Sequence, residues 1–173
     1  MENRKPVPTV VLDTNVLYEA DNLSDRICQK ACFLQVEAIQ KRRKQLAVDT
    51  YGYIMEEYAR NTKNLDNTSV RKQFVNWLRS YLYTQCLRVD PQPIDNSGTN
   101  FKLFPSDSAL EGFHLDDKKF VAVAIAAQQT LKQTVPILNA VDTDWCDYRA
   151  ALLQHGVVVR FLCPHRMPSD ECR

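Results

Sequence analysis

Short β-branched apolar runs alternate along the chain with stretches whose apolar residues recur every three to four positions, which predicts strands interleaved with helices. Val7 to Leu12 reads as a buried strand that hands over at Asp13-Thr14-Asn15 to a loop or a helix start. Ser24 is placed to cap a long helix to about Lys44, with Ile27, Ala31, Leu34, Ala38 and Ile39 along one face. Leu46 to Val48 predicts a short strand, and Asp49 or Thr50 can cap a helix carrying Tyr51, Ile54, Met55 and Tyr58 on one side. The next helix, about Ser69 to Cys86, is expected to bury Phe74, Trp77, Leu78, Tyr81 and Leu82. Residues 88–114 scatter Pro91, Pro93, Gly98, Pro105 and Gly112 among polar side chains and predict a long loop with one short helical turn. From Asp116 an alanine-rich helix runs to about Leu131. Pro136 to Val141 then predicts a buried strand, 142–145 its carboxyl-end loop, Tyr148 to Gln154 a helix closed by Gly156, and Val157 to Leu162 a last strand. This order implies an α/β fold with a mostly parallel sheet covered on both faces.

The length of 173 residues fits one domain, 1–173. Lys and Arg total 22 against 21 Asp and Glu, so no bulk charge announces a nucleic-acid partner and any binding face must be local. Phe120 to Ala127, the longest apolar run, is about half of what a membrane span needs, and no apolar segment follows Arg4-Lys5 as a secretory signal would require. The expectation is a soluble, cytoplasmic chain whose six cysteines are reduced, with Cys28, Cys32 and Cys86 packing as small hydrophobes. A zinc site drawing on Cys28, Cys32, Cys163, His165 and Cys172 is disfavoured, because C-x-H is not a usual structural zinc spacing.

In open α/β sheets, sites form outside the carboxyl ends of the strands. Three groups of acids converge there: Asp13 after the first strand, Asp142 and Asp144 after a later one, and Asp116-Asp117 opening the helix before it. Glu56-Glu57 lie on the helix after the second strand. Crowded carboxylates are tolerated when a cation neutralises them, and an all-oxygen donor set implies Mg²⁺ or Mn²⁺. Helical spacing favours Glu57 over Glu56 and, by a small margin, Asp117 over Asp116.

The chain resembles the PIN domain family of nucleases. The resemblance rests on Val10-Val11-Leu12-Asp13-Thr14-Asn15-Val16-Leu17, Glu56-Glu57-Tyr58, Asp116-Asp117-Lys118-Lys119-Phe120-Val121-Ala122-Val123-Ala124 and Val141-Asp142-Thr143-Asp144-Trp145, in the family's order over about residues 7 to 162. It implies a three-layer α/β/α fold and cleavage of single-stranded RNA dependent on Mg²⁺ or Mn²⁺, DNA not being excluded by the chemistry. Carried over, Asp13, Glu57, Asp117 and Asp142 match the acidic quartet, Asp144 an additional metal-binding acid, and Asn15 the residue that holds the first acid, with Thr143 beside them in support. The resemblance also implies a toxin-like or defence role, an antitoxin or other regulatory protein as partner, and a homodimer. The loop of 88–114 is longer than in compact toxin-type members.

Residues 60–88 carry Arg60, Lys63, Arg71, Lys72, Arg79 and Arg88 against Asp66, while 89–117 carry six acids against Lys102. The asymmetry suits a phosphate-tracking surface beside an acidic site, with Arg60 and Lys118 as substrate-binding candidates. Lys41-Arg42-Arg43-Lys44 is expected in a helix's last turn. His114 could contact a phosphate, and Tyr51, Tyr53 and Trp145 could stack bases or pack in the core. Two rival readings are a catalytically inert PIN-like scaffold for RNA or protein and a phosphatase of the haloacid dehalogenase type built on Asp142-Thr143-Asp144. The second is weakened because that motif belongs at the opening of its fold, and here only 29 residues follow it.

Overall fold

A computed structural model of the chain describes residues 7–168 and 172. Five strands form one all-parallel sheet: β1 (Thr9–Leu12), β2 (Gln45–Asp49), β3 (Leu87–Val89), β4 (Ile137–Asn139) and β5 (Val159–Phe161), in the order β3-β2-β1-β4-β5. Six helices connect them: α1 (Thr14–Ala20), α2 (Arg26–Gln40), α3 (Tyr53–Ala59), α4 (Val70–Gln85), α5 (Lys118–Leu131) and α6 (Thr143–Gln154). Right-handed crossovers carry the chain outward from β1 through β2 to β3 and then back through α5 to β4 and β5. Reversal of direction puts α1 to α4 on one face and α5 and α6 on the other, a three-layer α/β/α sandwich. No described helix is long and apolar enough to cross a membrane.

The central strands are apolar on both faces because both are covered: Val10, Val11, Leu12, Leu46, Ala47, Ile137 and Leu138 are all buried. β1 pairs with β2 at Val10–Leu46 and with β4 at Leu12–Leu138, so the strand order switches between β1 and β4. The crevice at their carboxyl ends is where a doubly wound sheet places its ligands.

Several boundaries differ from the sequence-based expectation, each for a local reason. α2 is capped by Asp25, whose carboxylate accepts from the Cys28 N–H, rather than by Ser24. It stops at Gln40, not Lys44, because Arg42 takes a left-handed φ of 57° and Lys41 and Arg43 fold back onto Glu37 (2.7 and 2.9 Å). α3 begins at Tyr53 after Gly52, and Asp49 caps it from a distance by accepting from the N–H groups of Tyr51, Tyr53 and Ile54. Tyr51 therefore lies outside the helix and is exposed, as is Tyr81 on α4, while Trp77 is half-buried. β3 was not anticipated. It occupies the start of what reads as loop, at the edge of the sheet, where one buried residue, Val89, suffices.

The segment after β3 is also more ordered than a loop reading suggests. A Pro93–Phe101 bridge and reciprocal bonds between Ile94, Asn100, Gln92 and Lys102 make a small hairpin that rests on α3. Gly98 is required there: its φ is +71°, and a Cβ would lie 2.8 Å from the Tyr53 ring. Residues 142–145 are the first turn of α6, with Asp142 as N-cap, rather than a loop.

The cysteines depart from the reduced state expected of them. Disulfides join Cys28 on α2 to Cys163 after β5, and Cys146 on α6 to Cys172; Cys32 and Cys86 remain thiols. Cys172 is thereby taken away from any zinc site with Cys163, and His165 is held by Asp25 at 2.9 Å.

Candidate functional site

The four acids of the expected quartet reach the β1/β4 crevice from four different elements. Asp13 leaves the end of β1, its own N–H bonded to the Leu138 carbonyl of β4 (2.9 Å). As N-cap of α1 it uses Oδ1 to accept from the Asn15 N–H at 2.8 Å. Oδ2, buried in a residue that is 5% exposed, has no hydrogen-bond partner. Burial pushes the Asp13 carboxyl well above the usual range, and the charges of Asp117, Asp142 and Glu57 push it further, the Asn15 N–H opposing them.

Asp117 ends the short 3₁₀ turn before α5 and makes no capping bond. Desolvation first, and Asp142 second, raise it to about 6, with His114 and Lys119 pulling the other way. The neighbouring Asp116 is exposed, so the inward acid of this pair is Asp117. Asp142 caps α6 by accepting from the Asp144 N–H (3.0 Å); its carboxyl is also raised, mainly by burial. Thr143 and Asp144 sit in the exposed first turn of α6, with Asp144 close enough to raise Asp142 but on the outer edge of the crevice.

Glu57 differs from the other three. Its Oε1 accepts from the Thr14 hydroxyl and its Oε2 pairs with the Lys119 ammonium, both at 2.5 Å. Lys119 is buried and also donates to the Asp116 carbonyl. The pair bridges α3 on one face of the sheet to α5 on the other across the strand ends. Neighbouring Glu56 is exposed. Sequence reasoning named Lys118 and missed Lys119 and Thr14. The available signal for Lys119 was its place beside Phe120 in an otherwise apolar helix, where a cation is stable only against a partner.

Asn15 serves the site in two ways. Its backbone N–H holds Asp13, while its side-chain oxygen accepts from the Ala140 N–H (2.8 Å) and fastens the end of β4 to α1. Asn139, fully buried and not singled out by the sequence, accepts from the Asp142 N–H at 3.0 Å and sets the turn that delivers that acid. Tyr58 donates its hydroxyl to the Leu12 carbonyl next to Asp13, closing the floor of the crevice.

The basic stretch does not form one continuous stripe. Arg71 is buried with its guanidinium 4.1 Å from the Tyr18 ring centroid, Lys72 donates to the Leu65 carbonyl, and Arg88 lies 4.4 Å from the Tyr83 centroid. Arg60 and Lys63 stay exposed in a groove with Glu56 and Asn64, directly beyond Glu57 on α3. Lys118, half-buried, holds its ammonium 4.9 Å from the Phe104 centroid. His114 faces Asp117 at 3.8 Å. Trp145 belongs to the core, edge-on to Phe113, while Tyr51 stacks on Tyr53 and stays exposed.

Asp13, Asp117 and Asp142 are thus close enough for their charges to couple, with Glu57 paired to Lys119 beside them, while among the described residues the cluster whose ligand atoms all lie within 4.8 Å of one another is Cys28, Cys32 and Cys163. Comparison of the chain with protein-family models, with curated proteins and with solved structures finds no match.

Proposed function

We propose that the chain is a metal-dependent endoribonuclease of PIN type that hydrolyses single-stranded RNA at the β1/β4 crevice. The observation that carries this reading is Asp13 Oδ2: a carboxylate oxygen, buried and without a partner, among two further acids whose charges oppose its ionisation. A buried unsatisfied carboxylate costs the fold free energy, and a divalent cation is the ligand that would remove the cost. The donors are oxygens with no His or Cys among them, which fits Mg²⁺ or Mn²⁺. Asp13, Asp117 and Asp142 would hold the ion, with Asp144 at the outer edge. When bound, such an ion lowers the pKa of a coordinated water and neutralises charge on a scissile phosphate.

The chain's own residues supply the rest. Glu57, fixed by Thr14 and Lys119, is a positioning group that keeps α3 and α5 in register across the crevice. Arg60 and Lys63 beyond it, and Lys118 on the opposite side, are suited to the phosphates flanking the cleaved bond. The buried Lys119 ammonium gives the inert-scaffold reading its one support, since it does a cation's work for Glu57. It leaves Asp13, Asp117 and Asp142 still raised, however, so the metal-binding reading is preferred.

The test is cleavage of end-labelled single-stranded RNA and matched DNA by wild type and Asp13→Asn, with Mn²⁺, Mg²⁺ or EDTA. Metal-dependent cutting that disappears in the variant is the expected result, and its sugar preference defines the substrate class. A folded wild type that binds RNA without cutting it would establish the scaffold instead.

A further inference from the structure

Away from the crevice, three sulfurs meet in the core. Cys28 and Cys32 are one helical turn apart on the same face of α2, and Cys163 is delivered to them from the end of β5, where its N–H is bonded to the Ala140 carbonyl. All three are fully buried, and their Sγ atoms lie within 4.8 Å of one another. Cys28 and Cys163 are joined in a disulfide; the Cys32 thiol stands 3.9 Å from the Cys163 sulfur. A disulfide needs two cysteines, and nothing in its geometry calls for a third at this distance.

We propose that, once the Cys28–Cys163 disulfide is reduced, Cys28, Cys32 and Cys163 form a thiolate site for a thiophilic d10 cation, Zn²⁺ or Cu⁺. An ion about 2.3 Å from each sulfur in tetrahedral geometry sets sulfur–sulfur edges of about 3.8 Å. The Cys32–Cys163 separation of 3.9 Å already has that length. Opening the disulfide lets the Cys28 and Cys163 side chains separate to the same edge, on a helix and a strand end that hold the three positions. Soft thiolates and the absence of carboxylate from the cluster select Zn²⁺ or Cu⁺ over Mg²⁺ and Mn²⁺, so this site is chemically distinct from the acidic crevice. His165, two residues beyond Cys163, is engaged by Asp25, leaving three sulfurs as the ligand set.

Arg166, which reaches Glu19 at 2.8 Å and Asp25 at 3.9 Å, favours a thiolate at Cys32, whereas Glu19 and Asp25 oppose one. Burial also pushes the free Cys32 thiol up to about 12, so without a cation it is a poor nucleophile and the disulfide beside it is not easily exchanged.

A dithiol reductant breaks the Cys28–Cys163 sulfur–sulfur bond, supplies two electrons and two protons, and closes its own disulfide. Binding of the cation then releases the protons of the three thiols. In either state α2 stays tied to the end of β5, by a covalent bond when oxidised and by the metal when reduced.

The test uses full-length protein reduced with a phosphine under argon and freed of reductant. It is loaded with Zn²⁺ or, in a separate arm, Cu⁺, dialysed against a weak chelator and analysed for metal. Co²⁺ serves as a spectroscopic probe, since its thiolate charge-transfer absorption reports sulfur ligands and not the carboxylates of the crevice. The expected result is one thiolate-bound ion per chain in wild type and Cys86→Ser, with affinity in Cys32→Ser weaker by at least about 100-fold, more than loss of an outer-shell partner costs. Peptide mapping after alkylation should show metal protecting Cys28, Cys32 and Cys163 and leaving Cys86 unprotected by it, a readout that needs no variant. The two cation arms identify which ion is preferred. Absence of retained thiolate-bound metal in reduced wild type, or equal binding by folded Cys32→Ser, overturns the proposal.

Discussion

At the scale of single residues, the site is governed by what neutralises each carboxylate. Asp117 sits at about 6, above its unfolded value near 3.8. A raised carboxyl favours the protonated fold, so this contribution is fully present below the unfolded pKa and is lost as pH rises through about 6. Asp13 and Asp142 act in the same direction. The carboxyls held low, Asp25, Asp66, Asp95 and Asp107 among them, lose their contributions only below the ordinary carboxylate range. Metal-free protein should therefore melt at a lower temperature at about pH 7.5 than at about pH 5, by calorimetry in EDTA. Asp117→Asn should stabilise it by up to about 3 kcal/mol at the higher pH while abolishing cleavage. Lys119→Met leaves the Glu57 charge buried and unpaired, a change that costs about 3–5 kcal/mol in urea denaturation. Glu57→Gln in the same chain should recover much of that loss; failure to recover it would mean that Lys119 matters for packing alone. At this scale the sequence carried the acids by their strand-end and helix positions. It could not carry Lys119–Glu57 or Thr14–Glu57, because those contacts depend on two helices from opposite faces meeting over the strand ends.

At the scale of elements, the strands and long helices were readable because burial on both faces writes apolar runs and burial on one writes a 3.6-residue period. What escaped were short pieces with little buried surface. α1 buries Val16, Leu17 and Ala20 in two turns, too short a span for periodicity to separate from the preceding strand. β3 contributes a single buried residue. The start of α6 was hidden because Asp142-Thr143-Asp144 reads equally as a loop and as a cap. The hairpin of 92–102 escaped for a different reason: its order comes from the fit of Gly98 against Tyr53, a contact between segments distant in sequence. Gly98→Ala should cost about 1–3 kcal/mol through overpacking and its positive φ, and should loosen the hairpin. Faster amide exchange confined to 92–102 and α3 would be the signature, whereas unchanged exchange would show that the loop is not held through Tyr53.

At the scale of the whole molecule, the fold gathers two chemically different groups: carboxylates at the carboxyl ends of β1 and β4, and sulfurs between α2 and the end of β5. The sequence offered Cys28, Cys32 and Cys163 among zinc candidates and disfavoured them on spacing; that Cys28 and Cys163 pair was not legible, since they lie 135 residues apart and only the packing of α2 on the sheet makes them neighbours. A cross-link over that span restricts the unfolded chain, so reduction in the presence of a chelator should lower stability by about 2–5 kcal/mol, measured by denaturant titration. The proposed activity requires the acidic crevice to be a cation site. Its most direct test is titration of metal-free protein with Mn²⁺ at about pH 7.5, following free Mn²⁺ by its paramagnetic resonance signal. Saturable binding that raises the melting temperature, that weakens as the carboxyls protonate toward about pH 5 and that is lost in folded Asp13→Asn is the predicted result. Absence of saturable binding, or equal binding by Asp13→Asn, would contradict it.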